Sequence, residues 1–401
     1  MKNLTKAQRV LHDRVLIEST QRCQQEPFFN SQGQRYHTPF QALLPVPHAK
    51  LIKPTKCYVC KQPFQALHHF YHRLCPSCAA ENYARRSDTA DLTGYHALLT
   101  GGRIKIGFDI ALMLLRAGAT VLLTTRFANN AYQRFQAQPD FAEWQARLYV
   151  YGIDFRSLEA VQQLIVDVQN VFPKLDILIN NAAQTITRPV DYYLPLIQQE
   201  AHCLPHTKQI LQWAHPTNAN ALAVSQPQAI ALDEFNEPLD LREHNSWRET
   251  LATVPTRELV ETQVVNSIVP FMLCSQLKPL FMRSQNRRFI VNVSAMEGQF
   301  NRFNKTHYHP HTNMAKAALN MLTRTAAMDY VRDEIYMNSV DTGWVTIEDP
   351  FATRQKNRLS GMVPPLDCVD GAARVLAPIW DAMRGNLYYG LFLKDYQPTR
   401  W

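Results

Sequence analysis

Four cysteines stand where metal chemistry would place them. Cys57-Tyr58-Val59-Cys60 and Cys75-Pro76-Ser77-Cys78 form two Cys-x-x-Cys knuckles with fourteen residues between them. Each knuckle can turn two thiolates to one side, and two knuckles can close a tetrahedral site around Zn²⁺. Four protein ligands leave no position for water or substrate, so the zinc expected here is structural. His68, His69 and His72 lie between the knuckles and could replace one thiolate, but four cysteines suffice. The second knuckle runs into Ala79–Arg86, which reads as a helix, so the module is expected to be like a treble clef or a zinc ribbon.

The second constellation is a glycine turn, Leu98-Leu99-Thr100-Gly101-Gly102-Arg103-Ile104-Lys105-Ile106-Gly107. Apolar residues at helical spacing follow to Ala119, and a second apolar run covers Thr120 to Thr124. Strand, turn, helix and strand in that order open a dinucleotide-binding unit. Glycine lets the backbone approach a pyrophosphate, and the free N–H groups of the helix start point at its charge. Thr100, Gly101, Gly102, Arg103, Lys105, Ile106 and Gly107 are therefore candidate cofactor-binding residues. The competing reading is a tight turn in another kind of α/β protein. An acid at the end of the second strand would bond ribose hydroxyls and favour NAD, whereas a basic residue accepts a 2′-phosphate. Arg126 stands there, with Arg103 and Lys105 in the turn itself, which predicts NADP(H).

The elements that must position these groups continue in order. Leu148 to Phe155 reads as a strand, and Asp154 near its end could bond an adenine amino group. A helix is expected over 157–171, then a buried strand from Leu175 ending in Asn180-Asn181-Ala182-Ala183. From here the chain resembles the short-chain dehydrogenase/reductase family, between about residues 95 and 395. The resemblance is carried in family order by the Thr100–Gly107 turn, Asp154, the Asn-Asn-Ala strand end, Asn266, Ser294, Lys316 and Thr342-Gly343. It implies an α/β Rossmann-type fold, a doubly wound parallel sheet with helices on both faces. It also implies hydride transfer between NADP(H) and a carbonyl or alcohol substrate, with cofactor contacts at Asp154, Asn181, Ala182, Lys316 and Gly343. Ser294 would bond the substrate oxygen, and Asn266 would steady Lys316 through a water or a carbonyl. A homo-oligomer built on helices near 258–280 and 314–330 is implied by the same analogy.

Two departures from the family pattern matter. The middle glycine of the turn is Lys105. Four residues before its lysine the family places a tyrosine, and here that position is Thr312, whose hydroxyl is too weak an acid to replace a phenol near neutral pH. Tyr308, fourteen residues after Ser294, could supply the proton, as could His309 or His311. The alternative is a catalytically impaired NADP(H)-binding sensor or regulator whose zinc module contacts a protein or nucleic acid.

The chain divides on paper into a basic segment over 1–94 carrying the zinc module and the Rossmann domain over 95–401. A helix is expected from Thr5 to Arg22 with Val10, Leu11, Val15 and Ile17 on its apolar side, and a loop over 26–56. The stretch 185–256 is a long insertion rich in proline and lacking glycine, placed by chain order beside the carboxyl ends of the strands. Trp213, Trp247, Tyr192 and Tyr193 in it could cap a substrate, while His202, Cys203 and His206 have only the composition of a metal site. Thr342 to Pro365 would be a lid with Trp344 and Phe351 as its apolar residues, followed by a helix over 369–383 and a strand over 387–393. Of the net charge of +8, +7 lies in residues 1–96, with 13 Lys/Arg against 6 Asp/Glu. That asymmetry points to an acidic partner, nucleic acid or protein, or to a merely soluble basic surface. No run approaches the ~18 apolar residues of a membrane span, the start lacks an apolar signal core, and unpaired cysteines fit a reduced compartment. Cytoplasm is the expected location.

Overall fold

Parallel strands covered on both faces are the organising feature of the larger part of the chain. The computed structural model describes residues 5–25, 28–29, 35–36, 50–201, 210–212, 232–301 and 305–401. Two compact units divide it: Met1–Asp88, Ala229–His244 and Gly343–Ala373 form one, and Thr89–Gln228, Asn245–Thr342 and Arg374–Trp401 the other. His202, Cys203, His206 and Trp213 lie outside the described residues.

In the second unit the elements run β1 His96–Leu99, α1 Lys105–Arg116, β2 Thr120–Thr125, α2 Ala128–Gln136, β3 Leu148–Gly152, α3 Leu158–Val171, β4 Ile177–Asn180, α4 Val190–Ala201 and β5 Ile210–Gln212. After the insertion come α5 Thr256–Gln263, α6 Val269–Gln276, β6 Arg288–Ser294, α7 Pro310–Tyr330, β7 Ile335–Asp341, α8 Cys368–Met383 (its start, up to Ala373, counted in the first unit), β8 Phe392–Lys394 and β9 Gln397–Thr399. The sheet order is β9-β8-β7-β6-β4-β1-β2-β3-β5. Every pairing is parallel except β8 with β9, which turns back antiparallel at one edge. The central strands are almost wholly buried because helices cover both faces, which is why they read as unbroken apolar runs rather than alternating ones. Leu98, Leu122, Leu178 and Ile290 pack in one cluster with Val161, Leu164 and Val168 of α3 and Leu273 of α6. Each such leucine contributes ~1.5–3 kcal/mol through burial. Chain order reverses between β1 and β4, so the crevice at their carboxyl ends is the place for a ligand.

The structure departs from the sequence expectations at several places. α4 and β5 give helix and edge strand to an insertion that composition alone presents as irregular; Pro195 lies inside α4. α7 begins at Pro310, so Thr312 sits within the helix that carries Lys316. The expected loop over 26–56 contains a strand at Lys50–Lys56, paired antiparallel with Pro63–Ala66.

In the first unit, Thr5 and Gln8 form a reciprocal capping box on the helix Lys6–Glu18. Val10 and Leu11 of that helix are exposed, contrary to the apolar side expected of them. Asp13 instead does the anchoring: its carboxylate accepts the N–H groups of Ile52 (2.7 Å) and Lys53 (2.9 Å), which fixes the strand beside the helix. The segment after Gly343 belongs to this unit and is bonded to it repeatedly. Trp344 N–H donates to the Tyr58 hydroxyl (2.9 Å), Arg22 Nε to Leu366 O (2.8 Å), and Arg86 pairs with Asp367 (2.7 Å) and Asp370 (3.0 Å).

Candidate functional site

The glycine turn is held by a small polar lattice. Gly101 and Gly102 N–H both donate to Thr124 O (3.0 and 3.1 Å), which ties the turn to β2. Thr100 Oγ1 accepts from the N–H groups of Asn181 and Ala182, both at 2.9 Å. Asn181 Nδ2 donates to Thr100 O (3.1 Å) and Gly101 O (2.9 Å), so the end of β4 locks the end of β1. Gly107 in α1 presses on the same turn: a Cβ there would lie 2.0 Å from Gly101 O, which only glycine avoids. Lys105 adopts a left-handed φ of 55° and opens α1, whose N-cap Ile104 supplies no side-chain acceptor. The helix-start N–H groups thus lack the usual side-chain cap and face the crevice end of the sheet. Ile106, the next residue, is half-buried in the first turn of α1.

Arg126 is exposed at the end of β2, its guanidinium 4.3 Å from the Tyr193 ring centroid. Arg103 is buried, bonded to Asn130 Oδ1 (2.8 Å) and placed over the Phe127 ring (5.2 Å). Asp154 is taken up by Arg156, whose Nη2 reaches its carboxylate at 2.6 Å. Burial raises the Asp154 pKa, but the Arg156 hydrogen bonds win and hold it below the ordinary carboxylate range.

The reacting end gathers on β6 and α7. Ser294 ends β6 and is 2% exposed; Thr312 and Lys316, one turn apart on α7, are 3% and 7% exposed. Lys316 Nζ donates to Val293 O (2.8 Å), the carbonyl next to Ser294. Burial pulls its pKa down to about 8, against the opposing charge of Glu297. The hydroxyls of Ser294 and Thr312 are buried without a hydrogen-bond partner.

The other proton candidates have neighbours of their own, and both His311 ring nitrogens are buried without a hydrogen-bond partner. The Tyr308 ring lies 5.2 Å from the Arg248 guanidinium and 4.2 Å from the His307 ring. His309 stacks on Trp247 (3.8 Å, 9°), shares Nδ1 with Trp247 O (3.0 Å), and has its pKa lowered by burial. His311 faces Glu258 at 3.4 Å. Asn266 sits in a π-helical turn over Val264–Ile268, and its amide pairs both ways with the Gln184 backbone (2.7 and 3.1 Å). Gly343 has φ of 79° and falls in the first unit.

Several residues that position this end carry no signal in the sequence. Asn180 Nδ2 bonds Asn292 Oδ1, Asn292 Nδ2 bonds Thr323 Oγ1, and Thr323 shares a hydrogen with Ser339, each at 2.8 Å. That buried chain pins α7 to three strands two turns beyond Lys316. Gly298 permits an equally close approach, since a Cβ there would come within 2.7 Å of Lys316 backbone atoms.

In the first unit the Cys57, Cys60, Cys75 and Cys78 sulfurs lie within 4.8 Å of one another, and Cys60 and Cys75 are 3.7 Å apart. The first knuckle occupies the hairpin turn and the second opens the helix Pro76–Arg85. Burial and neighbouring thiols push Cys78 up. Burial raises Cys75 too, yet hydrogen bonds from Ser77 and its neighbours bring it down to about 6. His72 is bonded to Val363 O (3.3 Å), and none of the three histidines joins the cluster. No helix among the described residues is long and apolar enough to cross a membrane.

A family model described as short chain dehydrogenase matches residues 95–195, and one described as Enoyl-(Acyl carrier protein) reductase matches residues 244–361. An uncharacterised protein of Acanthamoeba polyphaga mimivirus is 34% identical over 337 residues, covering 81% of this chain and 71% of that protein. Among solved structures, a short-chain type dehydrogenase/reductase from Mycobacterium marinum gives a TM-score of 0.52 at 16% identity, over 76% of this chain and 94% of its own. A short chain dehydrogenase from Burkholderia cenocepacia in complex with NADP gives 0.51 at 19% identity, over 76% and 96%. At those identities the likeness shows the fold.

Proposed function

Because the chain belongs to the short-chain dehydrogenase/reductase family, we propose that it is an NADP(H)-dependent oxidoreductase acting on a carbonyl or alcohol. The observation that carries the reading is the pair of buried, partnerless hydroxyls of Ser294 and Thr312 beside the buried Lys316. The Thr100–Gly107 turn, Asn181 and Ala182 would hold the cofactor's pyrophosphate end, and Arg103 and Arg126 its 2′-phosphate. The cofactor fits because the Gly107 contact leaves room for backbone and no side chain at the turn. When bound it supplies or accepts hydride. Ser294 and Thr312 would bond the substrate oxygen and exclude water from it. Lys316, with a pKa of about 8, is poised to give up a proton near neutrality, which a threonine cannot do alone. The proton would pass from Nζ through a hydroxyl to the substrate oxygen. Tyr308 and the histidines are not needed in this scheme.

The test is NADPH oxidation by the purified full chain against a panel of aldehydes and ketones. Turnover is expected to fall as pH rises through about 8, as the ammonium loses its proton, and to drop by at least ~100-fold in Lys316→Met and Ser294→Ala. Activity in both variants equal to the wild type sinks the assignment. The four cysteines would hold one structural Zn²⁺, since a Zn–S bond of ~2.3 Å puts tetrahedral sulfurs ~3.8 Å apart, close to the 3.7 Å between Cys60 and Cys75. Metal analysis of the same preparation should give one zinc per chain, and none in Cys57→Ser/Cys60→Ser. An expected location in the cytoplasm and a homo-oligomeric state belong to the same reading. Thr312 in the tyrosine position favours a second one, a nucleotide-sensing protein with an acidic partner, and absent turnover across the panel with NADPH bound would move the balance to it.

A further inference from the structure

The insertion brings a carboxylate to the cofactor's adenosine end. α2 follows β2 directly, so its N-terminus stands at the carboxyl edge of the sheet beside Arg126. Phe127 holds its N-cap position and makes no side-chain cap, which leaves the first N–H groups without a local acceptor. Glu200, at the far end of α4, receives two of them: Asn129 N–H donates to Oε2 (3.0 Å) and Asn130 N–H to Oε1 (2.9 Å). A two-pronged anion on a helix N-terminus is the arrangement that otherwise holds a phosphate. Arg103 is near enough for its charge to favour the ionised carboxylate, and it reaches Asn130 Oδ1 as well (2.8 Å). The same helix α4 presents Tyr193 to the Arg126 guanidinium (4.3 Å) and Gln199 to Asn130 Nδ2 (2.9 Å). Net, burial raises the Glu200 pKa despite the two N–H bonds, so the seat holds this carboxylate at a desolvation cost.

Resting on the NADP(H) reading above, we propose that Glu200 is an internal occupant of the 2′-phosphate seat, a competitor that the insertion sets against the 2′-phosphorylated nucleotide. A 2′-phosphate and the Glu200 carboxylate cannot share two N–H groups and Arg103, because like charges repel at that range. Binding of the 2′-phosphorylated nucleotide therefore expels Glu200 and releases α4 from α2, whereas a nucleotide lacking that phosphate leaves the contact in place. A phosphate competes well for such a seat because it carries more charge and three acceptor oxygens. An occupant that leaves the seat free about a tenth of the time weakens the apparent affinity ~10-fold.

The experiment titrates the full chain calorimetrically with 2′,5′-ADP and with 5′-ADP, comparing wild type and Glu200→Gln, which keeps the side chain's size. Glu200→Gln is expected to bind 2′,5′-ADP ~10-fold tighter, with 5′-ADP changed less than ~2-fold. Amide hydrogen exchange of residues 190–201 in the wild type is expected to speed up when 2′,5′-ADP is added, a readout that needs no variant. Unchanged or weaker 2′,5′-ADP binding in Glu200→Gln overturns the proposal, as does slower exchange of 190–201 on binding. Weaker 5′-ADP binding in the variant would make Glu200 a ribose ligand instead, and also overturns it. If neither compound binds either protein, the cofactor reading itself falls, an outcome distinct from binding that ignores Glu200.

Discussion

The two ends of the crevice are built on opposite principles. At the glycine turn the polar groups of Thr100, Gly101 and Asn181 are bonded to one another and to β2. At the β6–α7 end the hydroxyls of Ser294 and Thr312 are sealed from water with nothing to bond. A cradle for a pyrophosphate works through backbone shape and can be complete beforehand. Groups that bond a reacting oxygen stay incomplete until that oxygen arrives, and the fold bears the cost meanwhile.

The sharpest way to break the contrast is at Gly107. Gly107→Ala forces a Cβ against Gly101 O, 2.0 Å away. Severe overpacking costs about 3 kcal/mol or more, so stability should fall and NADPH affinity should drop at least ~100-fold in calorimetry; wild-type affinity would mean that the turn is not the cradle. Thr312→Val tests the other end, where a hydroxyl rather than a shape is at stake. An unpartnered buried hydroxyl costs ~1–3 kcal/mol, so this variant should melt at the same or a higher temperature while turnover falls at least ~10-fold. Lower stability with unchanged turnover would make the hydroxyl structural.

Lys316→Met gives the most diagnostic change in stability. The lysine's pKa is lowered in the fold, from 10.5 to about 8. Between those values the unfolded chain binds the extra proton, so wild-type stability rises with pH across that window and is flat on either side. Removing the buried cation should therefore stabilise the protein at pH 7 by roughly 1–3 kcal/mol, a gain that shrinks as pH passes from about 8 to 10.5. Denaturant melts of both proteins at pH 7 and pH 10 check it; a gain that does not shrink would remove burial of charge as the cause.

How much of this is legible in the sequence follows burial. α1, α3 and β1, β2, β4 and β6 are visible because their apolar residues answer to a sheet covered on both faces. The strand Lys50–Lys56 is not visible, since its lysines and proline carry no β pattern and its place depends on Asp13 and on pairing with Pro63–Ala66. The start of α7 is obscured by His309, which has a left-handed φ of 42° immediately before Pro310. The missed residues Asn292, Thr323 and Gly298 share one property: each acts across a distance in chain of sixteen residues or more, where no spacing rule operates.

The sequence by itself determined the order of strand, glycine turn and helix, the two cysteine knuckles, and the Ser294, Thr312 and Lys316 positions. Those depend on local spacing, and local spacing survives without knowledge of the partners. Tertiary structure decided that Thr312 lies on the same helix as Lys316 and shares its burial, that Asp154 is spent on Arg156, and that the segment after Gly343 belongs with the cysteine cluster. It also decided that the Glu200 carboxylate, from the insertion, meets the backbone N–H groups of Asn129 and Asn130 at the start of α2. A charge acts through space, and only the folded chain sets which charges are near.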